Sequence, residues 1–134
     1  MVLKSEVLPL RESGDVVVVR QTVRSWAREA GFSLVDQTKI ITAASELARN
    51  TVNHGGGGTA TLEALNDGAR TGLRVTFEDK GPGIADLQLA MRNGYTTGDG
   101  LGLGLGGAKR LVNEFDISSH PGEGTRVVIT RWKV

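Results

Sequence analysis

Cysteine is absent from the 134 residues, so no disulfide framework asks for an oxidising compartment. No apolar run approaches the roughly 20 residues that span a bilayer, and no signal pattern opens the chain. An excess of one charge is missing too: 16 basic and 15 acidic residues leave a formal +1, and no Lys/Arg block is dense enough for a nucleic-acid groove. These absences predict a soluble cytoplasmic protein with neither nucleic acid nor membrane as partner. The length predicts one domain, residues 1–134, burying about two thirds of the surface its unfolded form would expose.

Glycine is what the chain has in excess. Nine of its 19 glycines fall between Asp79 and Gly107, in DKGPGIADLQLAMRNGYTTGDGLGLGLGG. Glycine inside an element costs roughly 0.5 to 1 kcal/mol relative to alanine, so such a cluster marks backbone that approaches a ligand or takes positive φ. A glycine-rich run leading into a helix, here AKRLVNEF from Ala108 to Phe115, aims free N–H groups at an anion, and phosphate is the first candidate. Known designs can be eliminated in turn. A P-loop needs Gly-Lys-Ser/Thr, whereas this run ends Gly107-Ala108-Lys109-Arg110. Gly102, Gly104 and Gly107 fit GxGxxG, but a polar stretch precedes them where a dinucleotide fold needs a strand. HGGGG at 54–58 resembles an esterase oxyanion loop, yet the chain has no GxSxG elbow.

Periodicity supplies the elements. Lys4–Leu10 reads as a short strand that, from Pro9, lies at an edge or ends there. Ser13, Gly14 and Asp15 open a helix in which Val19, Val23, Trp26, Ala27 and Ala30 keep spacings of three and four, and Gly31 stops it. Ser33 and Asp36 resemble a capping box for a second helix running to Asn53, where HGGGG ends it. On that helix Ile40, Ile41, Ala44, Leu47, Ala48 and Thr51 share one stripe, and Glu46, Asn50 and Asn53 share another away from it. On an arbitrary helix the second stripe is a solvated face. Thr59–Asn66 and Leu73–Asp79 read as a hairpin, which puts Asp79 at a strand end. A short helix over Ile84–Arg92, a lid over 95–100, a helix over Leu105–Glu114, a strand over Phe115–Ser119, a turn at His120–Gly124 and a strand over Thr125–Trp132 complete the chain. This order predicts an α+β, two-layer α/β sandwich: a mixed, mostly antiparallel sheet with helices on one face.

Glu46-Leu-Ala-Arg-Asn50, Asp79-Lys-Gly81-Pro-Gly83, the glycines from Gly100 to Gly106, and Gly124-Thr125 stand in the order of the N, G1, G2 and G3 boxes of the GHKL ATPase/kinase superfamily. Each box is weak alone, and four in order across most of the chain are specific. Within that superfamily the wording is similar to the small anti-sigma-factor-type serine/threonine kinases, above all the RsbT-type switch kinases of stress signalling. The resemblance implies the Bergerat/GHKL ATP-binding fold, ATP and Mg²⁺, with Asn50 as the Mg²⁺ ligand and Glu46 as the general base. It further implies Asp79 at the adenine amino group, Gly81 and Gly83 beside the base, and Thr125 on the adenine side. Gly100, Gly102 and Gly104 would serve the phosphates, with Thr96 and Thr97 as lid contacts. Lys109 and Arg110 read as a solvated helix face or a phosphate or partner contact, and neither His54 nor His120 resembles a phosphoacceptor.

Two functions follow from the resemblance, and a third competes. The first is a protein serine/threonine kinase that phosphorylates STAS-domain antagonist or scaffold proteins and then engages a downstream effector such as a phosphatase. The second is an ATP-loaded binding module that sequesters a regulator, with phosphotransfer vestigial. Glu46 argues against the second, since a pure binder needs Asn50 and the glycines but no base. The third, the catalytic domain of a histidine kinase, would lack here its dimerisation helices and acceptor histidine.

Overall fold

The computed structural model describes residues 1–84, 91 and 104–133. Among these residues five strands and three helices follow in the order β1 (Val2–Leu10), α1 (Ser13–Glu29), α2 (Leu34–Asn53), β2 (Gly58–Asn66), β3 (Thr71–Asp79), α3 (Gly104–Arg110), β4 (Glu114–Ser119) and β5 (Thr125–Trp132). The sheet order is β1-β2-β3-β5-β4, which leaves β1, with Pro9, on an edge. All four pairings are antiparallel, so the described sheet is antiparallel throughout, not mixed. The hairpin and the crossover that seats β5 between β3 and β4 account for this.

Register decides which residues meet the helices. Leu8, Ala60, Phe77, Val127 and Ile117 pair in one row across all five strands, and directly opposed residues share a face. Leu62, Val75 and Ile129, two residues further along, extend the same buried face. Against it lie Val19, Val23, Trp26 and Ala27 of α1, and Ile40, Ala44, Leu47 and Ala48 of α2, so the periods read from the sequence are the ones that pack. Full burial of a side chain such as Leu47 or Phe77 stabilises by about 1.5 to 3 kcal/mol.

Helix ends follow local chemistry. Asp15 Oδ2 accepts from the backbone N–H groups of Arg11 and Glu12, which sets the start of α1. Gly31, at φ 82°, lets the chain leave that helix in the left-handed region. Ser33 Oγ accepts from the Asp36 N–H and caps α2, but the Asp36 carboxylate does not close the box. It accepts instead from Arg131 Nη2 of β5 at 2.6 Å.

One helix boundary differs from expectation. The predicted helix Leu105–Glu114 ends at Arg110, because Asn113 is already tied to β5: its N–H donates to the Thr130 carbonyl and its Oδ1 accepts from the Trp132 N–H. Glu114 therefore begins β4. Apart from Ile84 and Met91, the helix expected over Ile84–Arg92 lies outside the described residues, as does the lid over 95–100.

Candidate functional site

The last register row of the sheet builds the site's floor. Leu10, Gly58, Asp79, Thr125 and Ser119 pair across the five strands, two residues beyond the Phe77 row and on the same face. A strand's period of two thus turns Asp79 and Thr125 toward the helical layer, at the end where the sheet stops.

Asp79 is half-buried in a cradle of glycines. Its Oδ1 accepts from the Gly81 N–H at 2.9 Å, an Asx-type turn that starts the DKGPG loop. A Cβ on Gly55 would overlap the Asp79 carboxylate, and one on Gly124 would overlap the Asp79 carbonyl. Gly83 combines φ 76° with close approach to the His120 carbonyl, so neither its conformation nor its space admits a side chain. Gly81 and Gly83 are thus both fixed by close backbone packing in the DKGPG loop. Gly55, read from sequence only as a helix stop, is the glycine fitted directly against the carboxylate.

Ser119 was not legible as a site residue. Its buried hydroxyl accepts from the Ile84 N–H at 2.8 Å, lies 2.8 Å from Thr125 Oγ1 and lies 3.1 Å from the Gly124 carbonyl. A hydroxyl has one proton to give. When Ser119 gives it to Gly124, the Thr125 hydroxyl must donate to Ser119, which leaves Thr125 oxygen lone pairs as acceptors. Asp79 and Thr125 then offer acceptors side by side, complementary to a donor such as an exocyclic amino group. Only the alternation of β4 and its pairing with β5 could have signalled Ser119.

A cavity of about 600 Å³ opens here, lined by Asp79, Ser119, Gly124 and Thr125 and reaching round the sheet end to Glu78 and Arg126. That volume falls within the range of small-molecule sites. Glu46 and Asn50 are not in its lining.

These two lie on α2, four residues apart and so on one helix face. Glu46, expected away from the apolar stripe, is only 2 % exposed, Asn50 is half-buried and Asn53 is exposed. The solvated-face reading fails at Glu46 because α1 and α3 both pack on α2. Arg49 Nη1 donates to Glu46 Oε2 at 2.8 Å, and the buried Oε1 has no hydrogen-bond partner among the described residues. A buried carboxylate oxygen left bare is costly, on the order of 1 to 3 kcal/mol, and such exceptions concentrate where a ligand or a proton is handled.

Gly104 begins α3 at φ 63° and is buried, and Lys109 and Arg110 at its far end are exposed. Thr96, Thr97, Gly100 and Gly102 lie outside the described residues. No group of three or more His, Cys, Asp and Glu that could hold a metal occurs among the described residues. An amide oxygen such as that of Asn50 suits a hard ion that keeps most of its waters, and needs no such group.

Residues 35–134 match the family of histidine kinase-, DNA gyrase B- and HSP90-like ATPases. The serine/threonine-protein kinase RsbT of Bacillus subtilis is 46 % identical over 118 residues, covering 88 % of this chain and 89 % of its own. An anti-sigma F factor of Thermoanaerobacter sp. is 29 % identical over 129 residues, covering 92 % and 89 %. Among solved structures, one containing the RsbU and RsbW domains of a Mycobacterium tuberculosis protein superposes with a TM-score of 0.65 at 24 % identity, over 96 % of this chain and 32 % of the other, a likeness of fold. Matches of this extent place the chain: it belongs to the histidine kinase-, DNA gyrase B- and HSP90-like ATPase family, within which it is an ATP-dependent serine/threonine protein kinase.

Proposed function

We propose that this kinase works in a partner switch in the cytoplasm, as one domain spanning residues 1–134, phosphorylating STAS-domain antagonist proteins on serine or threonine and then engaging a downstream effector such as a phosphatase. Asp79 accepts from the adenine amino group, Thr125 adds its hydroxyl oxygen, and Gly81 and Gly83 let the backbone pass the base. Gly100, Gly102 and Gly104 lend N–H groups to the phosphates, with Thr96 and Thr97 as further contacts. Asn50 is the ligand for Mg²⁺, which when bound neutralises charge on the phosphates.

Glu46 is the general base. The acceptor hydroxyl oxygen forms a bond to the γ-phosphorus as the bond to the β,γ-bridging oxygen breaks, ADP leaves, and the hydroxyl proton passes to the carboxylate. The observation that carries this reading is the buried Oε1 of Glu46, without a hydrogen-bond partner among the described residues, on the same helix face as Asn50. A binding module with vestigial chemistry would have no use for that carboxylate.

Partner exchange follows from charge. A new phosphate adds about −1.5 to −2 charge, enough to eject a partner when acidic groups lie opposite. The test is incubation with labelled ATP and candidate STAS-domain proteins, followed by mass spectrometry of the product. A phosphoserine or phosphothreonine on one of them, with weaker binding after modification, is expected. Labelling of histidine, or equal affinity for both forms, would overturn the switch.

A further inference from the structure

Glu46 is held by one hand. A buried carboxylate is normally satisfied on both oxygens, and arginine, whose planar fork fits a carboxylate bidentately, is the usual means. Arg49 lies three residues on along α2 and reaches only Oε2, at 2.8 Å, and Oε1 has no partner among the described residues. The guanidinium side chain is 24 % exposed and the carboxylate 2 %, so the cation stands at the rim and the anion behind it. Both residues rise from one helix, and their geometry is fixed before any ligand arrives.

We infer that Arg49 is a positioning residue for phosphotransfer: it fixes the orientation of the buried Glu46 carboxylate through Oε2 and so presents Oε1 as the proton acceptor. The inference rests on the assignment of Glu46 as the base. A second fork bond would have occupied the oxygen that must receive the proton, so one-point contact is the form that charge compensation must take at a working base. Ser45, one residue before Glu46, is engaged separately, donating to the Ile41 carbonyl and accepting from Arg20 Nε, so it offers Oε1 no competing donor.

A purely structural ion pair would show the same distance, and a double-mutant cycle separates the two roles. Single-turnover transfer from labelled Mg·ATP is measured with a STAS-domain protein that the wild-type chain phosphorylates, and ATP affinity is measured on the same preparations. Arg49→Ala should slow transfer at least tenfold with ATP affinity changed less than threefold, and Arg49→Lys, a point charge without the fork, should be intermediate. In the Glu46→Gln background, Arg49→Ala should slow transfer no further. Multiplying effects of the two substitutions, or wild-type transfer by Arg49→Ala, would overturn the inference. Wild-type transfer by Glu46→Gln alone would instead remove the base assignment on which it rests. Should Arg49→Ala fail to fold, Arg49→Gln repeats the cycle, because it keeps a donor without the charge.

Discussion

Gly55 and Asp79, 24 positions apart in sequence, are in contact so close that Gly55 has no room for a β-carbon: it would overlap the Asp79 carboxylate. The contact locks the end of α2 to the end of β3, and the glycine after His54 is a packing requirement of the site as well as a helix stop.

Gly55→Ala should therefore displace the Asp79 side chain. Overpacking of this kind costs about 1 to 3 kcal/mol of stability. A lost hydrogen bond to a charged acceptor, about 1.5 to 3 kcal/mol, corresponds to roughly a 10- to 100-fold loss of ATP affinity. Calorimetry should find Gly55→Ala and Asp79→Asn similarly weakened. Wild-type affinity in a folded Asp79→Asn variant would remove Asp79 from the nucleotide site.

Ser119→Ala should act on the same site from the opposite strand. It leaves the Ile84 N–H without its acceptor and frees the Thr125 hydroxyl to rotate. An amide left without a partner costs about 1 to 3 kcal/mol, so ATP should bind roughly tenfold more weakly, with the melting temperature lowered. An unchanged titration would show that Ser119 does not set the DKGPG loop.

Asn50→Ala should remove the magnesium dependence of nucleotide binding. An ion ligand lost from α2 leaves the adenine contacts in place, so binding without Mg²⁺ should stay near wild-type. Affinity with Mg²⁺ should fall toward that same value. Titrations of ATP with Mg²⁺ and with EDTA decide it, and a variant that keeps the full gain from Mg²⁺ would move the ion ligand elsewhere.

Acid stability should report Asp36. The Arg131 guanidinium, bonded to it at 2.6 Å, holds its carboxyl below the ordinary 3.8, with the Ser33 hydroxyl and the Lys39 charge adding to the effect against partial desolvation. A depressed carboxyl contributes stability that is fully present above the unfolded value and is lost as pH falls through the lower folded one. Asp36→Asn should cost about 1 to 2 kcal/mol at pH 7. Its deficit relative to wild-type should shrink below about pH 4, where the unfolded carboxyl protonates. Urea titrations at pH 7 and pH 3 measure both, and a deficit that grows in acid would reverse the assigned direction.

Much of this was legible because it is periodic or local. The stripe on α2, the Ser33 cap, the hairpin ending at Asp79 and the bounds of β5 all rest on spacings within one element. The end of α3 did not, since Leu111 and Val112 continue an apolar pattern and only the pairing of Asn113 with β5 breaks the helix there. Contacts between distant segments were the hidden part. Gly55 against Asp79, Ser119 against Ile84, and Asp36 drawn from its cap to Arg131 are each set by tertiary packing. The burial of Glu46 belongs with them: its helix position is visible in sequence, and the covering by α1 and α3 is not.

The most direct test is ATP binding and single-turnover phosphotransfer measured on one preparation of Glu46→Gln. The substitution keeps the side chain's size and removes its basicity. A general base contributes typically 10²- to 10⁴-fold, so transfer to the protein acceptor should fall by about that factor while ATP and partner affinities stay within about threefold of wild-type. Wild-type transfer by a folded Glu46→Gln variant would contradict the account.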